Sequence, residues 1–191
     1  MELILIRHGE TEYNRKKQLC GVTDIPLNRK GIRQMINLRN KIQSADIVYC
    51  STLTRAKQSA KILFPEKKIN YVSDLNELDF GDWEGLTYKE IIKTNSKLSL
   101  IYIKNPYKFC SSTGESLKQL EKRVMNFINK IISNKMNENK KIICITHGGP
   151  IKVILCHLLL NDINYFWNIR IKPGATVYLK FRRKELILFK K

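Results

Sequence analysis

No run of uninterrupted apolar residues in this sequence approaches the roughly 18 that a helix needs to cross a bilayer, so a helical membrane span is excluded. The first residues, a short apolar run between Glu2 and Arg7, lack the pattern of a secretory leader. Cysteine is sparse and scattered. The five residues, at 20, 50, 110, 144 and 156, are odd in number and form no Cys-x-x-Cys pair. Cys50 and Cys144 fall in apolar strands and read as small buried hydrophobes, which suits a reducing cytoplasm. Histidine is sparser still, with three residues. Neither histidines nor cysteines fall at metal-ligand spacing, so no metal and no other cofactor is expected. There is no repeat, no low-complexity segment and no linker, and 191 residues at 43% hydrophobic fit one globular domain, 1–191.

Acidic residues are also few: 17 against 35 lysines and arginines, a net charge of +18. A basic face can bind nucleic acid through its phosphates. Here the lysines are spread along the chain in pairs such as Lys16-Lys17 and Lys140-Lys141, and aromatics are not interleaved with them as base stacking requires. No nucleic-acid motif is present. The charge therefore reads as solvated surface that draws anionic substrates inward, with a dedicated nucleic-acid binder as a remote alternative. Oligomeric state is not legible in the sequence.

What is present is an alternation of apolar strands and amphipathic helices. Strands are expected near 2–7, 46–51, 69–73 and 141–146, and helices near 29–43, 53–64, 115–134 and 149–160. Asn28 is a candidate cap for the first long helix, and Pro150 fits the first helical position of the last one. Residues 174–189 read as a hairpin beside the sheet, turning at Arg182-Arg183-Lys184. This order predicts a three-layer α/β/α sandwich with a mainly parallel sheet. The irregular stretch 86–114, with Tyr88, Tyr102 and Tyr107, reads as a cap over the site.

Two of the three histidines stand where an apolar strand meets glycine: Leu3-Ile4-Leu5-Ile6-Arg7-His8-Gly9 and Ile142-Ile143-Cys144-Ile145-Thr146-His147-Gly148-Gly149. Open α/β sheets place ligand sites at the carboxyl ends of their strands. Imidazole can act as a nucleophile, and guanidinium can grip two oxygens of one phosphate. Taken alone, Arg7-His8 also fits a strand end with two solvated polar residues; the second passage favours a site. His157, inside the apolar run Val153 to Leu160, is given no chemistry.

The sequence resembles the histidine phosphatase superfamily, the phosphoglycerate mutase-like proteins, over nearly its whole length. The matching motifs are Arg7-His8-Gly9-Glu10-Thr11 with Asn14, Pro26-Leu27 and Gly31, Ser51-x-Leu53-x-Arg55-Ala56, Glu77 through Gly81-Asp82-Trp83-Glu84-Gly85, Gly114-Glu115-Ser116, and His147-Gly148. The resemblance implies a phosphohydrolase working through a phosphohistidine. His8 would be the nucleophile, attacking through one ring nitrogen while the other donates its proton to backbone. Arg7 and Arg55 would clamp the phosphoryl oxygens, and His147 would bond them as a cation. Asn14 would add a neutral donor, and Gly148 would let backbone approach the ligand. Glu77, the family's acid, would protonate the leaving oxygen, its proton held by a neighbouring negative charge and partial burial. Asp82 and Glu84 would cap a helix beginning near Leu86. Tyr13 stands where tryptophan is common, a packing substitution. Cys20 and Gly21 stand where relatives often touch substrate through a hydroxyl, which leaves backbone contacts from those two residues. Lys152 stands where arginine is frequent, with little consequence expected.

Within the superfamily, 28 residues (86–113) between Gly85 and Gly114 make a shorter insertion than mutases carry. This spacing and the ending Phe166-Trp167-x-Ile169-Arg170-x-x-x-Gly174 look most like the small bacterial α-ribazole phosphatases of cobalamin biosynthesis. A broad-specificity phosphatase is the runner-up and a phosphoglycerate mutase the third reading. The partner is a small phosphorylated metabolite. Aromatic faces stacking on a flat base add about 0.5–1.5 kcal/mol per ring. The expected kcat/KM for α-ribazole 5′-phosphate therefore exceeds that for 3-phosphoglycerate by at least about tenfold, to be measured as initial rates of phosphate release.

Overall fold

Strand β1 (Glu2–Arg7) is apolar at four consecutive positions, and all four are buried because both faces of the sheet are covered. Leu3 and Leu5 point into one core together with Ile142 and Cys144 of the neighbouring strand Lys141–Thr146, whereas Ile4, Ile6, Ile143 and Ile145 point into a second core on the other side. The molecule is known here as a computed structural model that describes residues 1–42, 44–94, 107 and 113–190.

The remaining elements follow in chain order: α1 (Glu12–Lys16), α2 (Arg29–Arg39), β2 (Ile47–Cys50), α3 (Thr54–Leu63), β3 (Ile69–Tyr71), α4 (Tyr88–Thr94), α5 (Leu117–Ser133), β4 (Lys141–Thr146), α6 (Gly148–Leu155), β5 (Thr176–Arg182) and β6 (Glu185–Lys190). Among the described residues six strands form one sheet in the order β3-β2-β4-β1-β5-β6. β3, β2, β4 and β1 pair in parallel, and β5 runs antiparallel between β1 and β6. Met35 of α2 and Ala56, Ala60 and Leu63 of α3 fill one core; Leu120, Val124 and Ile128 of α5 and Ile151 and Ile154 of α6 fill the other. The expected three-layer, mainly parallel α/β/α sandwich is the fold observed.

Several details depart from expectation. The segment 174–189 does not lie beside the sheet but supplies its last two strands, turning at Arg183 (φ 48°) and Lys184 (φ 71°). Positive φ at both central residues is what a two-residue turn needs to match strand twist. The helix expected over 149–160 is α-helical only to Leu155; Cys156–Leu160 winds as a π-turn that ends at Asn161 (φ 50°). Pro150 is its third residue, not its first, because His147 is already the N-cap. Its missing N–H still costs nothing in the first turn. Asn28 caps α2 as expected, accepting from Gly31 N–H. Of the proposed cap tyrosines, Tyr88 packs half-buried against the core, Tyr107 is exposed, and Tyr102 lies outside the described residues. No described helix is long and apolar enough to cross a membrane.

The loop after β1 is fastened to α2. Asn28 N–H donates to Glu10 O (2.9 Å), and Glu10 N–H donates to Gln34 Oε1 (2.9 Å). The two backbones touch at glycines: a Cβ on Gly31 would lie 2.2 Å from Glu10 O and 2.7 Å from Glu10 N. Backbone cannot swing away as a side chain can. Gly31→Ala is therefore expected to cost about 1–3 kcal/mol and to lower Tm by several degrees, at about 2–4 °C per kcal/mol for a chain of this size. Thermal denaturation checks this, and an unchanged Tm would contradict the contact.

Candidate active site

Parallel register assembles the site. It pairs Arg7 with Thr146 and Cys50 with Ile145, so at the carboxyl edge of the sheet His8 emerges level with His147, and Ser51 level with Thr146, one residue earlier. His8 N–H bonds Thr146 O (3.0 Å) and Ser51 N–H bonds Ile145 O (2.9 Å), and the two imidazole rings lie 5.0 Å apart.

His8 is buried, with Nδ1 2.6 Å from Gly9 O. Burial, then the Arg7 and Arg55 charges, hold its pKa well below 6.5. The ring is neutral, Nδ1–H donates to the carbonyl, and Nε2 keeps its lone pair. Ser59 steadies the same turn, accepting from Gly9 N–H (3.2 Å) and donating to Arg55 O (2.7 Å).

His147 is fully buried and has Nε2 2.7 Å from Ser51 Oγ. The Ser51 hydroxyl gives its single hydrogen to Asn76 Oδ1 (2.7 Å), an oxygen identified by the Thr52 N–H that also donates to it (2.9 Å). Ser51 Oγ must therefore accept from His147 Nε2–H. Burial, then Arg55 and His8, push His147 well below 6.5. The ring in this structure is thus neutral, and its buried Nδ1 has no hydrogen-bond partner.

Arg55, the second residue of α3, is fully buried; its Nη1 donates to Thr23 O (3.0 Å) and its Nη2 to Gly21 O. Arg7 donates from Nη1 to Ile171 O. The Nε atoms of both arginines are buried without a partner. Glu77 is buried at the start of α6, where Gly149 N–H bonds both its oxygens (2.9 and 3.2 Å) and Leu78 N–H bonds Oε1 (3.0 Å). Arg7 and Lys152 are both near enough to interact electrostatically with it. Asp79 bonds Gly81 N–H, and Glu84 is turned to Val22 and Thr23. Glu84 therefore fastens the loop that carries Gly21, accepts Phe80 N–H as well (3.3 Å), and does not cap the helix near Leu86; Thr87 and Glu90 cap α4.

Above this buried cluster opens a cleft of about 520 Å³ lined by Arg7, Asn14, Cys20, Glu77 and Gly148, with Phe166, Trp167 and Lys152 on its outer wall. No described residue between 86 and 114 lines it. Asn14 Oδ1 accepts Thr11 N–H (3.1 Å) in a capping box, which leaves its NH₂ as the remaining donor. Burial pushes the Cys20 thiol up to about 11, so it stays protonated at neutral pH. Gly21 does not line the cleft; its carbonyl holds Arg55, and a Cβ there would lie 2.3 Å from Leu78 O. The tight glycine of the second motif is Gly149, where a Cβ would fall 2.2 Å from Glu77 Oε1, whereas Gly148 has ordinary room.

Four contributors carried no assigned role in the sequence. Ser51 orients His147, and Gly149 binds Glu77. Arg123 grips the carbonyls of Asp74, Asn76 and Glu77 (2.8–2.9 Å) and pairs with Glu115. Lys152 enters the cleft. Ser51 and Glu115 lay inside quoted motifs, the only signal available for them; Arg123 reads in sequence as a plain helical arginine. Among the described residues no three His, Cys, Asp or Glu side chains gather to hold a metal ion.

Fold and site together belong to a phosphoric monoester hydrolase. The family description "Histidine phosphatase superfamily (branch 1)" matches residues 3–189, and the chain belongs to that superfamily. It is 26% identical over 188 residues to the adenosylcobalamin/alpha-ribazole phosphatase of Escherichia coli, covering 96% of this chain and 92% of that protein. The crystal structure of the alpha-ribazole phosphatase from Shigella flexneri superposes with TM-score 0.88 at 26% identity (98% and 94% covered). That of the Entamoeba histolytica phosphoserine phosphatase in complex with 3-phosphoglyceric acid superposes with TM-score 0.85 at 31% identity (100% and 96% covered). The fold is thus phosphoglycerate mutase-like.

The Ser51 hydrogen bond has a measurable consequence. An anion facing His147 Nδ1 requires a proton there, which the ring carries only as imidazolium. Binding of inorganic phosphate should therefore take up a proton, and affinity should fall as pH rises above neutrality. In Ser51→Ala, Nε2 is released, the neutral ring can place its proton on Nδ1, and the uptake should shrink. Calorimetry in buffers of different ionisation enthalpy measures this; equal uptake by both proteins would contradict it.

Proposed function

We propose that the protein hydrolyses phosphomonoesters of small metabolites in two steps through a phosphohistidine at His8. The observation that carries the reading is a neutral, buried imidazole whose Nδ1–H is held by Gly9 O, set among three buried nitrogens without partners, Arg7 Nε, Arg55 Nε and His147 Nδ1. A buried polar group left unpaired costs about 1–3 kcal/mol; phosphoryl oxygens would accept from both guanidinium N–H groups, and from His147 Nδ1 once the ring has taken up a proton. His8 Nε2 attacks phosphorus, the bond to the ester oxygen breaks, and Glu77 gives that oxygen its proton. Glu77 then takes a proton from water, whose oxygen attacks phosphorus and breaks the P–N bond, which releases phosphate and restores neutral His8. Arg7 and Arg55 face charge that spreads over the phosphoryl oxygens in the transition state. Asn14 supplies a further neutral donor, and Gly148 lines the approach. The four described cysteines are unpaired thiols, which supports a reducing, cytoplasmic setting.

For the leaving group, likeness to the alpha-ribazole phosphatases and Trp167 on the cleft wall support α-ribazole 5′-phosphate, with the protein serving cobalamin biosynthesis. A specific observation favours a second reading, a carboxylate-bearing ester such as phosphoserine or 3-phosphoglycerate. Among the described residues, the charged side chains lining the cleft are the cationic Arg7, Lys152, Arg170 and Lys172 and the acidic Glu77. A rate panel with these three esters decides between the readings.

Acid-labile, base-stable phosphate should appear on the wild-type chain in a rapid quench with labelled substrate and be absent from His8→Ala. An adduct of undiminished yield on that variant would sink the mechanism. Glu77→Gln should lower kcat about 10²–10⁴-fold on alkyl phosphates and much less on p-nitrophenyl phosphate, whose leaving group needs no proton. Its pH–rate profile should lose the acid-dependent limb. Activity should survive excess EDTA, because Arg7 and Arg55 supply the positive charge.

A further inference from the structure

Lys152 is not used by the reaction as proposed, yet it stands in the cleft. It follows Gly148 by four residues and Gly149 by three on α6, so it shares their helix face, and helical side chains lean toward the helix N-terminus, here toward Glu77. It is half-buried, and its Nζ sits 4.9 Å from the Phe166 ring centroid and 4.8 Å from that of Trp167. The two rings meet edge to face at 4.7 Å. Cation–π contact within about 6 Å holds an ammonium in place without neutralising it. No carboxylate among the described residues lies within 4 Å of it.

We propose that Lys152, seated on Phe166 and Trp167, is a specificity-determining subsite for a carboxylate carried by the leaving-group part of the substrate. This inference rests on the phosphohistidine reading only for which end of the substrate is which. Lys152 is near enough to feel both Glu77, which meets the leaving oxygen, and Arg7, which meets the phosphoryl group. The second anion is thereby placed on the alcohol side of a short-chain ester. A single ammonium matches a monoanion. The Trp167 face that a flat base would stack on is shared with this charge. Burial brings the lysine down to about 8, with Glu77 opposing the shift and Arg7 adding to it. The group is thus charged and poorly solvated at pH 7 and discharges above about 8, so its preference for an acid is present at neutral pH and lost as pH rises.

The test uses a matched pair, 3-phosphoglycerate and glycerol 3-phosphate, which differ by a carboxylate in place of a hydroxymethyl group. Equilibrium binding is measured on the full-length His8→Ala chain, which cannot turn them over. At pH 7 the acid should bind about tenfold to a hundredfold tighter, the range of a charge-assisted hydrogen bond. The ratio should fall toward one at pH 9.5 in the same protein. Lys152→Met in that background should bring the ratio near one at both pH values; Lys152→Arg should restore it and keep it at pH 9.5. A merely structural lysine would change both affinities alike and leave the ratio and its pH dependence intact. Equal binding of the two esters at pH 7, binding of neither, or a preference that survives Lys152→Met overturns the subsite. Turnover of p-nitrophenyl phosphate by the wild-type chain is scored separately: its absence with the binding ratio intact would fail the hydrolase reading and leave the subsite standing.

Discussion

The parallel register of β1, β4 and β2 is the constraint on which the site depends. Arg7 pairs with Thr146, which sets His8 level with His147, and Cys50 pairs with Ile145, which sets Ser51 level with Thr146, one residue before them. From that position Ser51 Oγ reaches His147 Nε2. A one-residue slip would turn every side chain to the opposite face and would separate the two imidazoles. The alternating burial of Leu3, Ile4, Leu5 and Ile6 between two cores makes such a slip costly, so hydrophobic packing far from the chemistry holds the catalytic geometry.

Around these residues the protein concentrates positive charge in a buried place, with the Glu77 carboxylate near enough to act on Arg7. Arg55 is enclosed and held by the carbonyls of Gly21 and Thr23 instead of an acid. Glu84 fastens the same loop by accepting the N–H groups of Val22 and Thr23, so its charge acts one step away. Burial and the arginines together keep both histidines neutral. An environment this hostile to imidazolium leaves His8 Nε2 with the lone pair that the proposed attack on phosphorus requires. It also means that whatever protonates His147 must bring its own negative charge. The same surroundings pull Lys152 toward neutrality, so one electrostatic field governs the phosphoryl end and the outer wall of the cleft.

Helix starts complete the arrangement. Gly149 at the beginning of α6 offers its N–H to Glu77, and it must lack a Cβ because that carboxylate occupies the space. Arg123 of α5 then clamps the carbonyls of the segment that delivers Glu77, and Glu115 anchors the arginine. The acid is positioned from both sides of its backbone. The Gly114-Glu115-Ser116 motif thereby has a physical role: Glu115 orients Arg123, and Ser116 caps α5 in a capping box with Gln119.

The layer order, the strands that matter and the placing of Arg7, His8 and His147 where apolar strands meet glycine were legible in the sequence, because they depend on local patterns. Arg55 and Glu77 were singled out only by the family resemblance, and the fold buries both near that edge. Boundaries drifted where the chain had two ways to wind, as at Cys156–Leu160, where the π-turn replaces the last α-turn. Roles drifted where a side chain had several partners within reach along the chain, as for Glu84, whose neighbours in sequence are not its neighbours in space. The protonation of His147, the choice of Gly149 over Gly148 and the entry of Lys152 into the cleft were decided only by tertiary structure. Each depends on which atoms from distant segments meet in a place without water. Sequence order by itself determines which chemical groups the chain can bring, and burial among distant neighbours determines their charge and direction.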